Sequence, residues 1–440
     1  MLYEFRRYAL LGCLLGSSCT THGLAQETPQ SSLLYENDVT SGNAEGFFRF
    51  RTSDTTDSER TSRSALTKVN VAQDLSAEVR ARRDRIRRVL SDHFQRRENA
   101  ASRSPWGIMH TLIAYGVDTK LNVQGRQVNA IGWLCWNGSG RGQRMFYTSN
   151  GQIRAYIGPG NQGHEGQFLA MLAQSRVRTD YPMKIGGREF TVKDLVESEK
   201  LTCRPGTELT FKLIGLSHYL PSNAQWKSQS GEDWDIPRLI REELAQPVIG
   251  AACGGSHRMM GFSYAVRKRE QRGESFTGEW RRAQKYVNDY HKYALKLQNP
   301  DGSFSTSWFE GRGSYGNAAR HLETTGHVLE WLVFSLPKQR LSDPQITKAV
   351  DFLTNLFLEH PNYRWSVGAR GHALHALAMY DERVFGSKPG ARMDILVKKP
   401  VSPTASAQPT DEADSEPDST QVAEPREART TPVTATDATP

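Results

Sequence analysis

The residues of this 440-residue chain best suited to chemistry are histidines that trail glycines. His164 follows Gly163, His327 follows Gly326 and His372 follows Gly371, while His257 stands two positions after Gly255. His110 stands three after Gly107. The whole chain has only 12 histidines, so five of them beside one kind of turn is a pattern that packing alone does not require. The carboxylates nearest to them in sequence are Glu165, Glu208 and Glu323, and the nearest cations are Arg258, Arg320 and Arg370. Imidazole and carboxylate together move protons near neutral pH, and arginines clamp anions. Catalysis is therefore expected from His164, Glu165, Glu208, His257, His327, Glu323 and His372, and substrate contact from Trp106, Arg258, Arg320 and Arg370. Trp133, Trp136, Trp308 and Trp365 add flat faces on which a sugar could stack. Glu208 stands where its phrase lacks a histidine, which marks it as a distinct acid or base.

The elements that must position these groups are legible as a repeat. A glycine-containing turn, a polar residue and an apolar run recur around Gly107, Gly163, Gly206, Gly255, Gly326 and Gly371, spaced by 43 to 71 residues. That period suits one inner helix, one outer helix and two loops. Helix starts carry unpaired N–H groups and the positive end of the dipole, so starts facing a common cavity favour anions and neutral imidazoles. Six inner helices are expected to form a closed ring. Its shared cavity is expected to receive His164, His257, His327 and His372 at one end, with His110 deeper or turned away.

Outer helices are expected over 77–97, 191–200, 235–245, 277–298 and 343–358, where apolar residues recur at helical spacing among charges. Segment 144–158 instead alternates around Asn150-Gly151, a two-residue hairpin signal. Region 122–160 is thus expected to be a β-hairpin insertion, serving either as a lid or as a cover for core.

A formal charge of +8 and a pI near 9.2 raise the question of nucleic acid. The basic residues are spread over amphipathic faces without a nucleic-acid-binding module, so no nucleic-acid partner is expected. Residues 1–25 read as a signal peptide: Arg6-Arg7, an apolar run over 8–16, then Gly23-Leu24-Ala25 before Gln26. Export to the periplasm or medium follows, with lipid attachment at Cys13 or Cys19 a weaker alternative, and no segment is apolar enough for an integral membrane protein. Stretches 26–74 and 397–440 are polar and poor in large apolar residues, a linker and a Pro/Thr/Ser/acidic tail expected to be disordered. The folded domain is expected over 75–396. The mature chain keeps Cys135, Cys203 and Cys253, an odd number that leaves open either a Cys203–Cys253 bridge or three free thiols.

An aromatic-aliphatic helix end followed by Gln298-Asn299-Pro300-Asp301-Gly302-Ser303-Phe304 resembles the Gln…Gly-x-Trp repeat of squalene and oxidosqualene cyclases. In that family the Gln ties the end of an outer helix to the next loop; Phe304 stands here in place of Trp. With the helix-pair period, the resemblance over roughly 77–385 is to the α/α-toroid superfamily of terpenoid cyclases and protein prenyltransferase β-chains. The superfamily also includes lanthionine cyclases, thioester domains and several polysaccharide lyases. It implies an all-α fold, an α/α toroid of about six inner and five to six outer helices, with the catalytic or binding cavity at the inner helix ends. The chain is also similar to a group of exported bacterial proteins labelled as GTPase activators of ADP-ribosylation factors. It lacks the Cys-x2-Cys zinc module of such activators, so that activity is not expected.

The chemistries of the superfamily differ in the residues they need. Terpene cyclisation needs Asp-x-Asp-Asp, and Glu232-Asp233-Trp234-Asp235 has the wrong spacing outside the inner runs. A thioester needs Gly-Cys-Gly-Glu-Gln, and Ala252-Cys253-Gly254-Gly255-Ser256 lacks the Gln. A zinc site of the prenyltransferase or lanthionine-cyclase kind could draw on Cys253 with His257, His327 or His372, although no Cys-His-Gly or Asp-x-Cys signature is present. No other cofactor is indicated. Three readings stand: a carbohydrate-active lyase or hydrolase, a non-catalytic envelope module binding a glycan, peptide or small molecule, and a zinc-dependent transferase-like enzyme. An enzyme should place titratable groups within one hydrogen bond of each other in the cavity; a binding module can leave them dispersed.

Overall fold

The computed structural model describes residues 75–397, so the expectations for the signal peptide, the 26–74 linker and the C-terminal tail lie outside the described residues. Those described are mostly helical, with four small two-stranded sheets among them. The inner runs become α2 (Pro105–Tyr115), α4 (Gln167–Gln174), α6 (Thr210–Tyr219), α8 (Ser256–Gln271), α10 (Ala318–Ser335) and α12 (Val367–Phe385). Alternating with them in the chain are α1 (Ala77–Gln95), α3 (Ala130–Cys135), α5 (Val192–Leu201), α7 (Ile236–Leu244), α9 (Gly278–Lys296) and α11 (Pro344–Glu359), followed by the short α13 (Met393–Leu396).

The even-numbered helices pack on one another in chain order, and α12 packs back on α2. The odd-numbered helices lie against them: α1 on α12, α5 on α6, α7 and α9 on α8, α11 on α10. Burial follows the same division. α6 buries eight of its ten residues, whereas α9 buries one stripe, Trp280, Ala283, Val287, His291, Ala294 and Leu295. Local sequence fixes several ends. The Ser104 hydroxyl accepts from the Gly107 N–H with Pro105 at the first helical position of α2, and Asp235 caps α7, which has Pro237 in its first turn. Gln298 donates to the carbonyls of Gly302 (3.0 Å) and Gln345 (2.8 Å), tying the end of α9 to the next turn and to α11.

The expected single hairpin is one of four. β3 (Phe146–Ser149) and β4 (Gln152–Ala155) meet at Asn150-Gly151, whose φ values of 49° and 75° are those of a primed turn. β1 (Lys120–Val123) and β2 (Arg126–Asn129) use Gln124-Gly125 in the same way, and β5 (Pro182–Ile185) and β6 (Arg188–Thr191) use Gly186-Gly187. β7 (Gln225–Lys227) pairs with β8 (Asp233–Asp235). Three of the four hairpins lead into an outer helix, α3, α5 or α7. Region 122–160 therefore holds a helix between two hairpins, where one inserted hairpin was expected.

Candidate functional site

The seam between inner helices is set by glycine. A Cβ on Gly371 would stand 2.2 Å from the carbonyl oxygen of His110, and one on Gly326 would stand 2.9 to 3.1 Å from the N, Cα and Cβ of Ala373. α2, α10 and α12 can approach to backbone contact only because these side chains are missing. Gly326 and Gly371 thus lie inside helices, not at the helix starts that the repeat suggested. Only some of the recurring glycines are punctuation: Gly255 caps α8 with φ 84°, and Gly206 turns with φ 69°.

Each residue after a seam glycine is delivered to its neighbours. His327 and His372 stack with ring centroids 3.9 Å apart, and His257 lies 5.4 Å from His327 and 5.2 Å from His372. His164, in the loop before α4, is 6.0 Å from His257. His110 is 5.7 Å from His372, so it belongs to the cluster instead of turning away. A small space of about 10 Å³, room for about one water-sized group, lies beside His257 and His372 and is lined by residues of all six inner helices.

Four of the five rings are oriented by acceptors that cannot donate. The Nδ1–H of His110 donates to the Trp106 carbonyl (2.8 Å) and that of His327 to the Glu323 carbonyl (2.7 Å). His164 donates to Glu208 Oε2 (2.6 Å) and His372 to Glu330 Oε2 (2.7 Å). In the neutral form each of these therefore carries its lone pair on Nε2. His257 is buried, and neither of its ring nitrogens has a hydrogen-bond partner among the described residues. Burial first, then the neighbouring histidines, pushes His257 and His327 well below the ordinary imidazole pKa; burial pushes His110 down to about 3. These rings are neutral at pH 7, the form that binds a metal.

The Cys253 thiol completes a group. One ligand atom each from Cys253, His257 and His327 lies within 4.8 Å of the others. Cys253 is held there by a left-handed backbone (φ 47°) one turn before His257, and its thiol is pushed up to about 12, chiefly by burial and then by Glu323. A thiol so raised becomes a thiolate only if a cation holds it. All three described cysteines are free, so no Cys203–Cys253 bridge forms. Trp308 covers this end: its ring packs on Gly254 and lies 5.5 Å from that of His327, with the Arg320 guanidinium 5.1 Å over the ring.

Several expected residues serve elsewhere. Glu165 pairs with Arg204 (2.6 Å) and contacts Lys212 (3.4 Å), which is itself buried against Glu199 (2.6 Å). Arg258 turns outward to Glu243 (2.9 Å) and the Pro247 carbonyl, and Arg370 to Glu98; both are structural ties with no place in the cluster. The Glu323 carboxylate pairs with Arg320 (2.9 Å), which also binds the Thr306 carbonyl; Glu323 hydrogen-bonds His327 through its backbone oxygen, and its charge acts on the Cys253 thiol. Trp106 packs against His110 with ring centroids 3.9 Å apart and the planes tilted by 40°. Trp133, Trp136 and Trp365 have their ring and hydrogen-bond partners elsewhere, so the tryptophans do not line one sugar-binding face.

Two residues were missed. Glu330 is buried and accepts from His372 through Oε2 and from His375 through Oε1 (2.5 Å). The signal was present: Glu330 lies three residues after His327 and His375 three after His372, one turn along the same helix faces. Burial would raise the Glu330 carboxyl, but the two histidines beside it hold it well below the usual range, so it is ionised.

No family model, no curated protein and no solved structure matches the chain. No described helix is long and apolar enough to cross a membrane.

Proposed function

We propose that this chain is an exported enzyme built as an α/α toroid, with one transition-metal ion, zinc by ligand type, between Cys253, His257 and His327. The observation that carries the reading is the pairing of that donor group with a buried His257 whose two nitrogens have no hydrogen-bond partner among the described residues. A thiolate with two neutral imidazoles is zinc chemistry, and three protein ligands leave a position open, as catalytic sites do. His327 is already oriented for this by the Glu323 carbonyl. The toroid itself is supported by the cyclic packing of the inner helices and by the alternation of inner and outer positions along the chain.

When bound, zinc supplies a Lewis acid that polarises a substrate oxygen or activates a nucleophile. The remaining work belongs to the chain. The His164–Glu208 and His372–Glu330 pairs lie beside the donor group, each with a carboxylate that stabilises an imidazolium formed on its histidine by proton uptake at Nε2. Trp308 and the buried inner helices keep bulk water out. The reaction class this supports is metal-assisted hydrolysis or group transfer. Glycan lyase or hydrolase chemistry would use the same His–Glu pairs but would leave the Cys253 thiol without a role.

Elemental analysis of protein purified from its native export compartment tests the reading. Zinc is expected at about one per chain, lost in Cys253→Ser and in His257→Ala while both variants keep the helical signature of the parent. Metal-free parent protein that also refuses added zinc would remove the proposal. Terminal sequencing of the mature protein is expected to begin at Gln26.

A further inference from the structure

The inner helices have a second end. At their C-termini, residues from all six line a cavity of about 290 Å³, from Gly116 after α2 to Arg383 in α12. Its wall is unbalanced in charge, with Arg176, Arg267, Lys268, Arg383 and Arg392 against the single carboxylate Glu382. Arg176 takes Glu382 (2.6 Å), and Arg392 takes Asp118 (3.0 Å) behind the wall. Arg267, Lys268 and Arg383 form no salt bridge among the described residues; Glu270 and Glu382 attract Arg267, and Glu382 attracts Arg383, only from a distance.

Part of this excess has a structural use. Arg267 donates to the Phe334 carbonyl and Arg383 to those of Val333, Phe334 and Leu336, closing the end of α10. Lys268 has no such use: its ammonium makes no hydrogen bond or ion pair among the described residues, although it lines the cavity. Burial, and for Arg383 the nearby Arg267, lowers the proton affinity of all three cations, Arg383 to about 10. The fold thus holds an uncompensated positive site in a partly dry cavity, which an anion would relieve. Tyr264 and Phe334 stack at 4.6 Å on the same wall and provide an apolar face beside the charges.

We propose that this cavity binds a small organic oxyanion, a carboxylate or phosphate ester, with its charged end at Lys268, Arg267 and Arg383 and its body against Tyr264 and Phe334. His375 also lines the cavity, and through Glu330 it is joined to His372 in the histidine cluster. A ligand seated here is joined through His375 and Glu330 to His372, whose ring stacks on His327 of the donor group. Its role as the substrate's binding end rests on the metal-site reading above; its binding does not.

Isothermal titration of the mature chain with inorganic phosphate and, separately, glucuronate tests this, in as-purified and in chelator-treated protein. Saturable binding of at least one probe is expected in both preparations. Lys268→Met should weaken it about tenfold or more, the loss of one charged contact, with no fall in melting temperature because Lys268 supports no other group. Arg267→Met should weaken it similarly. The preferred probe tells phosphate esters from carboxylates. Binding by neither probe, or equal binding by Lys268→Met and the parent, overturns the proposal. Chelator-insensitive binding in a chain that proves to hold no metal would leave this site standing while the metal reading falls.

Discussion

Replacing Gly371 by alanine tests whether glycine builds the histidine cluster. The added Cβ would stand 2.2 Å from the carbonyl oxygen of His110, where ordinary contact begins at 3.4 Å. α12 must therefore retreat from α2 by about 1 Å, because a backbone oxygen inside a helix cannot swing aside. Overpacking of this kind costs about 1–3 kcal/mol, and the better helix propensity of alanine returns at most about 1 kcal/mol of that. A net loss of about 1–2 kcal/mol is expected from the urea midpoint at constant slope. Gly311 is the control: nothing lies within 4 Å of the point where an alanine methyl would stand and its φ is ordinary, so Gly311→Ala should stay within about 0.5 kcal/mol. Since His372 rides on the shifted segment, Gly371→Ala should also bind zinc more weakly than the Gly311 variant does. A Gly371→Ala protein as stable as the parent would refute the idea that these glycines exist for close approach.

Other outcomes follow from buried charge. Lys212 is fully buried against Glu199, so Lys212→Met should cost about 3–5 kcal/mol by stranding that carboxylate, and adding Glu199→Met should recover much of the loss; a single variant that denatures like the parent would show the pair to be inert. Burial first, then nearby arginines, depresses His93 to about 3 and His291 to about 4, while both titrate near 6.5 when unfolded. Their contribution is present above pH 6.5 and is lost as pH falls toward those folded values, by about 1.4 kcal/mol per pH unit for each. Urea midpoints at pH 7 and pH 5 should differ accordingly, and less so in His291→Phe; a flat profile would contradict the burial of these rings. In Glu330→Gln one acceptor oxygen replaces two, so one of the Nδ1–H protons of His372 and His375 should lose its slow exchange in the proton NMR spectrum, whereas retention of both would show that Glu330 does not hold them.

The helices were legible because periodicity reports burial directly. Expected spans such as 277–298 and 343–358 match α9 and α11 to within two residues. α3 and three of the hairpins were not, because short elements leave few periods to count; yet Gly186-Gly187 between alternating residues was as good a turn signal as Asn150-Gly151. The site was half legible for a different reason. In sequence the glycines resemble turns that announce helix starts, which points only to the first residues after each one. Two of them are points of backbone contact in mid-helix, where the groups that meet are those one turn further along, Glu330 and His375. Conversely Arg258 and Arg370, adjacent in sequence to seam residues, point the other way, because neighbours on a helix are separated by about 100°. Proximity along the chain selects a turn of helix; the 3.6-residue period decides which of its side chains can reach the seam. That is why His327-x-x-Glu330 and His372-x-x-His375 mark the site more sharply than any glycine does.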